Sequence, residues 1–128
     1  MAAMKLPEDL RYTSDHEWVR LEGDEAIMGI TDYAQDALGD VVFVSLPSSD
    51  TSHAKGEPVA EVESTKSVSD IFMPLTGTIV AVNEALREHP ELINSDPYGE
   101  GWICRFRYTS EDAASLLDAA GYGKLLEG

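Results

Sequence analysis

The strongest constraint on this chain is its punctuation. Short runs of alternating or β-branched residues follow one another, each cut off by glycine, proline or a polar turn. Residues 17–21 and 26–30 flank Glu22-Gly23-Asp24-Glu25 and predict a hairpin with a glycine-containing turn. The β-branched run 41–46, stopped by Pro47, predicts a mostly buried strand. Alternation continues over 58–63, resumes over 68–73 after Ser64-Thr65-Lys66-Ser67, and returns in 78–82 and 102–108. About six or more short strands with frequent turns indicate a β-sandwich or barrel. Gly56 and Gly77 precede runs of similar pattern, which is compatible with a weak internal twofold centred near Lys66.

Helical signals are fewer. Asp32-Tyr33-Ala34-Gln35 is read as a capping box, with Gly39 closing a short helix. Residues 84–88 make a further short turn. Thr109 or Ser110 is expected to cap a C-terminal helix through Ala120, with Glu111 and Asp112 favourable at its positive end. Leu116, Leu117 and Ala120 form its packing stripe and Gly121 its stop. No linker composition divides the chain, so one domain is expected over residues 1–128. Its β-rich core covers about 12–108 and its helical tail about 110–127.

Composition narrows the partners. The 128 residues are 43% hydrophobic and 26% charged, ordinary for a globular chain with one modest core. Acidic residues outnumber basic ones by 24 to 9, for a net charge of -15. Such a field repels phosphate backbones and anionic lipid headgroups, which disfavours nucleic acid and membrane surfaces and favours basic patches on other proteins. Residues 1–11 show no secretory pattern, and no apolar stretch is long enough to cross a bilayer. Cys104 is the only cysteine, which excludes an internal disulfide and any CxxC motif. A reducing interior is the expected compartment.

Lys66 stands out chemically. It lies between two strand-like runs at the centre of ESTKSVSD, among small polar residues, so a tight hairpin holds its amine in solvent with Glu63 and Asp70 nearby. An open lysine on a rigid turn is what an acylating enzyme needs to recognise. Taken alone, such a lysine reads first as a solvated surface residue, and spacing by itself does not overturn that reading.

The wider string VESTKSVSD (62–70) resembles the lipoyl-attachment hairpin of glycine cleavage H proteins. The resemblance continues at HEWV (16–19), GITDYAQDALGDVVFVSLP (29–47) and INSDPYGEGW (93–102), in family order and over most of the chain. It implies a mainly β barrel-sandwich hybrid, lipoyl-domain-like, with short helices and a C-terminal helix. It implies a non-catalytic carrier with lipoate amide-linked to Lys66 in a turn formed with Glu63, Ser64 and Ser67. In the family, a pyridoxal-phosphate glycine decarboxylase (P protein) loads an aminomethyl group onto the arm. A tetrahydrofolate-dependent aminomethyltransferase (T protein) removes the one-carbon unit, and dihydrolipoamide dehydrogenase (L protein) reoxidises the dithiol. Lipoate-attaching enzymes are further implied partners. The implied state is a monomer in a bacterial-type cytoplasm, or in a mitochondrial matrix if a transit peptide has been removed.

By the same resemblance the loaded arm folds back into a cleft with acidic groups. Glu17 and Asp70 are the candidates, read against the alternative of ordinary surface carboxylates. Tyr33 stands where many members have histidine, which puts an imidazole role in that cleft in doubt. His16, Glu17, His53, His89 and Cys104 match no metal-ligand spacing, and no metal is expected. Trp18 and Trp102 read as packing residues, Cys104 as a small buried hydrophobe, and Asp96-Pro97-Tyr98-Gly99 as a turn. Biotinyl domains differ by methionines beside the lysine, where this chain has Thr65 and Ser67. Lipoyl domains of 2-oxoacid dehydrogenases differ by an Asp-Lys-Ala-like centre. The alternatives from other classes are an unmodified acidic interaction module and a small enzyme using His16 and Glu17 as an acid–base pair.

Overall fold

The computed structural model describes residues 6–109, 113 and 115–127. Its strands are β1 (Arg11–Tyr12), β2 (Glu17–Glu22), β3 (Glu25–Ile30), β4 (Val41–Ser45), β5 (Ser52–His53), β6 (Pro58–Ser64), β7 (Val68–Phe72), β8 (Gly77–Val82) and β9 (Cys104–Tyr108). The helices are α1 (Asp32–Leu38), α2 (Ala85–Glu88), α3 (Leu92–Ser95) and α4 (Ala119–Glu127). The strands form a six-stranded sheet, β1-β2-β3-β9-β8-β5, and a three-stranded sheet, β4-β6-β7. All pairings are antiparallel, and the two sheets are not closed into a barrel. β6 and β8, the runs after Gly56 and Gly77, lie in different sheets.

One apolar cluster joins the sheets. Val19, Met28, Ile79 and Phe106 from the larger sheet pack with Val44, Val62 and Ile71 from the smaller, all essentially without solvent exposure. The alternation of β6 explains its share: Ala60, Val62 and Ser64 point inward, while Glu61 and Glu63 point out. A second cluster, Leu10, Tyr12, Trp18 and Tyr122, lies under α4. Glu17, Trp18 and Val19 are therefore buried in succession, because β2 is covered on both faces.

The expected hairpin closes through Gly23-Asp24, with Glu22 opposite Glu25 and Gly23 at φ 67°. Three expectations are corrected. The run at β4 is not mostly buried: Val41 and Val44 are, but a bulge between Val41 and Phe43 turns Val42 and Phe43 outward. The cap of α1 is Thr31, one residue before Asp32. Thr31 keeps an extended backbone and its Oγ1 accepts the Ala34 N–H, while Asp32 Oδ1 accepts from the Gln35 amide.

The C-terminal helix is Ala119–Glu127 and does not end at Gly121. Asp118 Oδ1 accepts the Gly121 N–H at 2.8 Å, which starts the helix there. Leu117 is used instead in a backbone bridge to Tyr12, with both N–H···O distances 2.7 Å. Ser110, Glu111 and Asp112 lie outside the described residues. α3 was not anticipated, and 97–101 form the expected turn.

Candidate functional site: an open lysine and a buried carboxylate

β6 and β7 pair from Pro58 opposite Phe72 to Glu63 opposite Val68, leaving Ser64-Thr65-Lys66-Ser67 as the turn. Ser64 organises it from a buried position. Its Oγ accepts the N–H groups of Lys66 (3.3 Å) and Ser67 (3.1 Å), and its own N–H donates to Ser67 O at 2.8 Å. A hydroxyl that satisfies successive turn amides is the Ser/Thr-turn chemistry that favours serine here. The Thr65 N–H donates to Asp40 O at 3.1 Å, which fastens the turn to the start of β4.

Lys66 is exposed, and among the described residues no ion pair or hydrogen bond engages its ammonium. Its methylenes run past Gly39, where an added Cβ would stand 3.4 Å from Lys66 Cε. Gly39 closes α1 at φ 83°, so glycine is required there by conformation and also leaves the lysine stem room.

The predicted acidic residues separate. Glu63 is exposed, opposite Val68 beside the turn. Asp70 is also exposed and faces Glu61 across the hairpin. Glu17 is 1% exposed, far along β7 from Lys66. Its Oε2 accepts the Phe72 N–H at 2.8 Å and its Oε1 accepts the Thr13 hydroxyl at 3.0 Å. Burial pushes the Glu17 carboxyl up to about 8, against the opposing pull of the Phe72 and Thr13 hydrogen bonds. Glu17 lines a cavity of about 250 Å³ together with Thr13, Asp15, Lys55, Met73 and Leu117. Asp70 is not in its wall.

Tyr33 is half-exposed on α1, its ring 4.7 Å from that of His16. His16 holds φ 69°, and its Nδ1 meets the Tyr122 hydroxyl at 2.8 Å. That hydroxyl also meets Thr31 Oγ1 at 2.7 Å, so α4, the cap of α1 and the turn before β2 share one polar knot. Burial lowers the His16 pKa. The other conspicuous residues are dispersed. His53 hydrogen-bonds Glu57, His89 Nδ1 lies 3.3 Å from Glu91 Oε2, and Cys104 is fully buried with its thiol pushed up to about 12. Trp18 is buried with its indole N–H on Pro97 O at 2.8 Å, and Trp102 packs on the same cluster. Thr13, Asp40 and the Phe72 amide were not singled out beforehand; Thr13 reaches Glu17 through the local turn before β2, whereas only the tertiary fold brings the Phe72 amide to Glu17 and Asp40 to the lysine turn.

A profile described as glycine cleavage H-protein matches residues 10–128. The chain belongs to this family. A glycine cleavage system H protein of Thermus thermophilus is 56% identical over 125 residues, 97% of this chain and 98% of that protein. One from Bacteroides thetaiotaomicron is 49% identical over 126 residues, 98% of this chain and all of the other. The crystal structure of the Mycobacterium marinum H protein superposes with a TM-score of 0.89 at 42% identity, covering 96% of this chain and 100% of that one. The mainly β, lipoyl-domain-like fold is thus the H-protein fold. As a member of this family the chain is a carrier component of the glycine cleavage system.

Proposed function

We propose that lipoate is carried in amide linkage on Lys66 Nζ. The carrying observation is an exposed amine, without an ion pair among the described residues, at the tip of a turn pinned by Ser64 and Asp40. The residues present fit such a group: the turn is small and polar, the lysine stem passes a side-chain-free Gly39, and a cavity with one buried carboxyl lies beyond the hairpin. When bound, lipoate supplies a disulfide that takes an aminomethyl group from the decarboxylase, yields it to the tetrahydrofolate-dependent transferase and is reoxidised by dihydrolipoamide dehydrogenase.

The chain's own residues do three things. Ser64 and Ser67 hold the turn in one conformation, so Nζ is presented at a fixed place. Glu17 offers the cavity a carboxyl that is neutral near pH 7 and gains charge when a cationic amine comes within hydrogen-bonding reach, because an opposite charge offsets its desolvation. Phe72 lies four residues beyond Val68, about 13 Å along a strand, so the cavity is a place for the far end of a long arm. Asp70 and Tyr33 are carried as secondary candidates for contact with the arm. The strong negative charge supports steering toward basic surfaces on the P, T and L proteins and on lipoate-attaching enzymes, and a monomeric carrier. Among the described residues no helix is long and apolar enough to cross a membrane. On its likeness to bacterial relatives, the carrier is assigned to the cytoplasm.

The test is Lys66→Arg, which keeps charge and removes the acylable amine. Glycine cleavage reconstituted with this variant is expected to fall to background while its urea denaturation matches wild type. Retained activity contradicts the proposal.

A further inference from the structure

We propose that the outer face of the six-stranded sheet holds a second site, which binds a small organic monocarboxylate between Arg20 and Arg105. The site shares no residue with the Glu17 cavity and does not depend on the reading of Lys66. Register places the two arginines. Arg20 on β2 pairs with Ile27 on β3, and Ile27 pairs with Arg105 on β9, so the three side chains form one row across adjacent strands. Neighbouring strands lie about 4.8 Å apart, which sets the two arginine backbones about 10 Å apart with Ile27 between them. The turn at 97–101 closes the trough above this row: Trp18 Nε1 donates to Pro97 O, and Arg20 Nη2 reaches Tyr98 O at 3.4 Å. A cavity of about 200 Å³ results, lined by Arg20, Ile27, Gly99, Trp102 and Arg105, with no carboxylate in its wall among the described residues.

The charges there run against the rest of the chain, in which acidic residues outnumber basic ones by 24 to 9. Of the described lysines and arginines, only Arg20 and Arg105 are not exposed, and both line this cavity. Arg20 makes no ion pair among the described residues; its guanidinium lies 5.5 Å over the Trp18 ring and its hydrogen bond goes to a carbonyl. Arg105 is held by Glu22 at 3.2 Å and Glu25 at 3.3 Å, both through Nη1, which leaves Nε and Nη2 without an acceptor among the described residues. A half-buried guanidinium has lost part of its hydration without gaining a counter-charge. A carboxylate taken between two such forks restores it through charge-assisted hydrogen bonds.

The cavity selects among anions. Its volume lies below the roughly 300–1,000 Å³ of sites for larger ligands, so it takes a carboxylate on a short body. Ile27 and Trp102 suit an apolar or aromatic body better than the extra oxygens of a phosphate. The net charge of -15 opposes a multiply charged anion more strongly than a singly charged one. An aromatic or branched monocarboxylate of benzoate size meets all three conditions.

The experiment titrates the full chain with sodium benzoate and follows its NMR resonances, including the arginine Nε–H and tryptophan indole N–H groups. Saturable shifts of Arg20, Arg105 and Trp102 are expected, with a Kd of about 1 mM. Arg20→Gln and Arg105→Gln are each expected to raise that Kd about tenfold. Arg87→Gln, which removes an exposed cation elsewhere, leaves it unaltered. Benzylamine, of the same shape and opposite charge, is expected to move none of the three groups. The absence of saturable shifts in the wild-type chain overturns the site, as does a Kd within about twofold of wild type in both cavity variants. Inorganic phosphate binding there as tightly as benzoate, or benzylamine shifting the same groups, overturns the carboxylate assignment; neither comparison requires a variant.

Discussion

Glu17 Oε2 accepts the backbone N–H of Phe72 at 2.8 Å, tying the first residue of β2 in one sheet to the last residue of β7 in the other. The bond anchors the base of the lysine hairpin, and it is made by a carboxyl that burial keeps protonated up to about pH 8.

That carboxyl makes stability depend on pH. In the unfolded chain Glu17 titrates near its ordinary value of 4.5, and in the folded chain near 8. Its contribution is fully present below the lower value and is lost as pH rises toward the upper one. Glu17→Gln is neutral throughout, and its amide can still accept from Phe72 and donate to Thr13. Relative to wild type, the variant is expected to gain about 1 kcal/mol per pH unit between about pH 5 and 8. Urea denaturation at each pH measures this, and parallel stability curves contradict it.

Gly29 faces Trp18 across β2 and β3, and a Cβ there would lie 2.7 Å from the indole Nε1. The ring cannot swing away, being fully buried and held by Pro97 O. Gly29→Ala is expected to destabilise by about 1–3 kcal/mol through overpacking. A lowered Tm with an altered tryptophan emission is the signature; unchanged values contradict the contact.

Tyr122→Phe keeps the stack on Tyr12, whose rings lie 4.8 Å apart, and removes the hydroxyl shared by His16 and Thr31. The expected loss is about 1–2 kcal/mol. Faster proteolysis within 119–127 accompanies it, since that hydroxyl fastens α4. Wild-type stability and proteolysis rates show that stacking alone suffices.

The elements legible in the sequence were those set by local chemistry. Glycine and proline marked the hairpins, and the ESTKSVSD string marked the lysine turn. The bulge in β4 was hidden because VVFV reads alike whether its side chains face core or solvent. Thr31 and Asp32 are both good caps, and only the backbone on entry to α1 decides between them. α4 was misplaced because Gly121 reads as a stop, while Asp118 turns it into a first-turn residue. The carboxylates show the same limit: Glu17 and Asp70 looked equivalent, yet pairing across two sheets buries one and leaves the other in solvent.

The most direct measurement is the intact mass of this chain from a lipoate-supplied host with an active attachment pathway, followed by peptide mapping. A single lipoyl adduct on Lys66, absent from Lys66→Arg, is the predicted result. An unmodified chain, or an adduct on another lysine, while a control carrier is lipoylated in the same cells, contradicts the account.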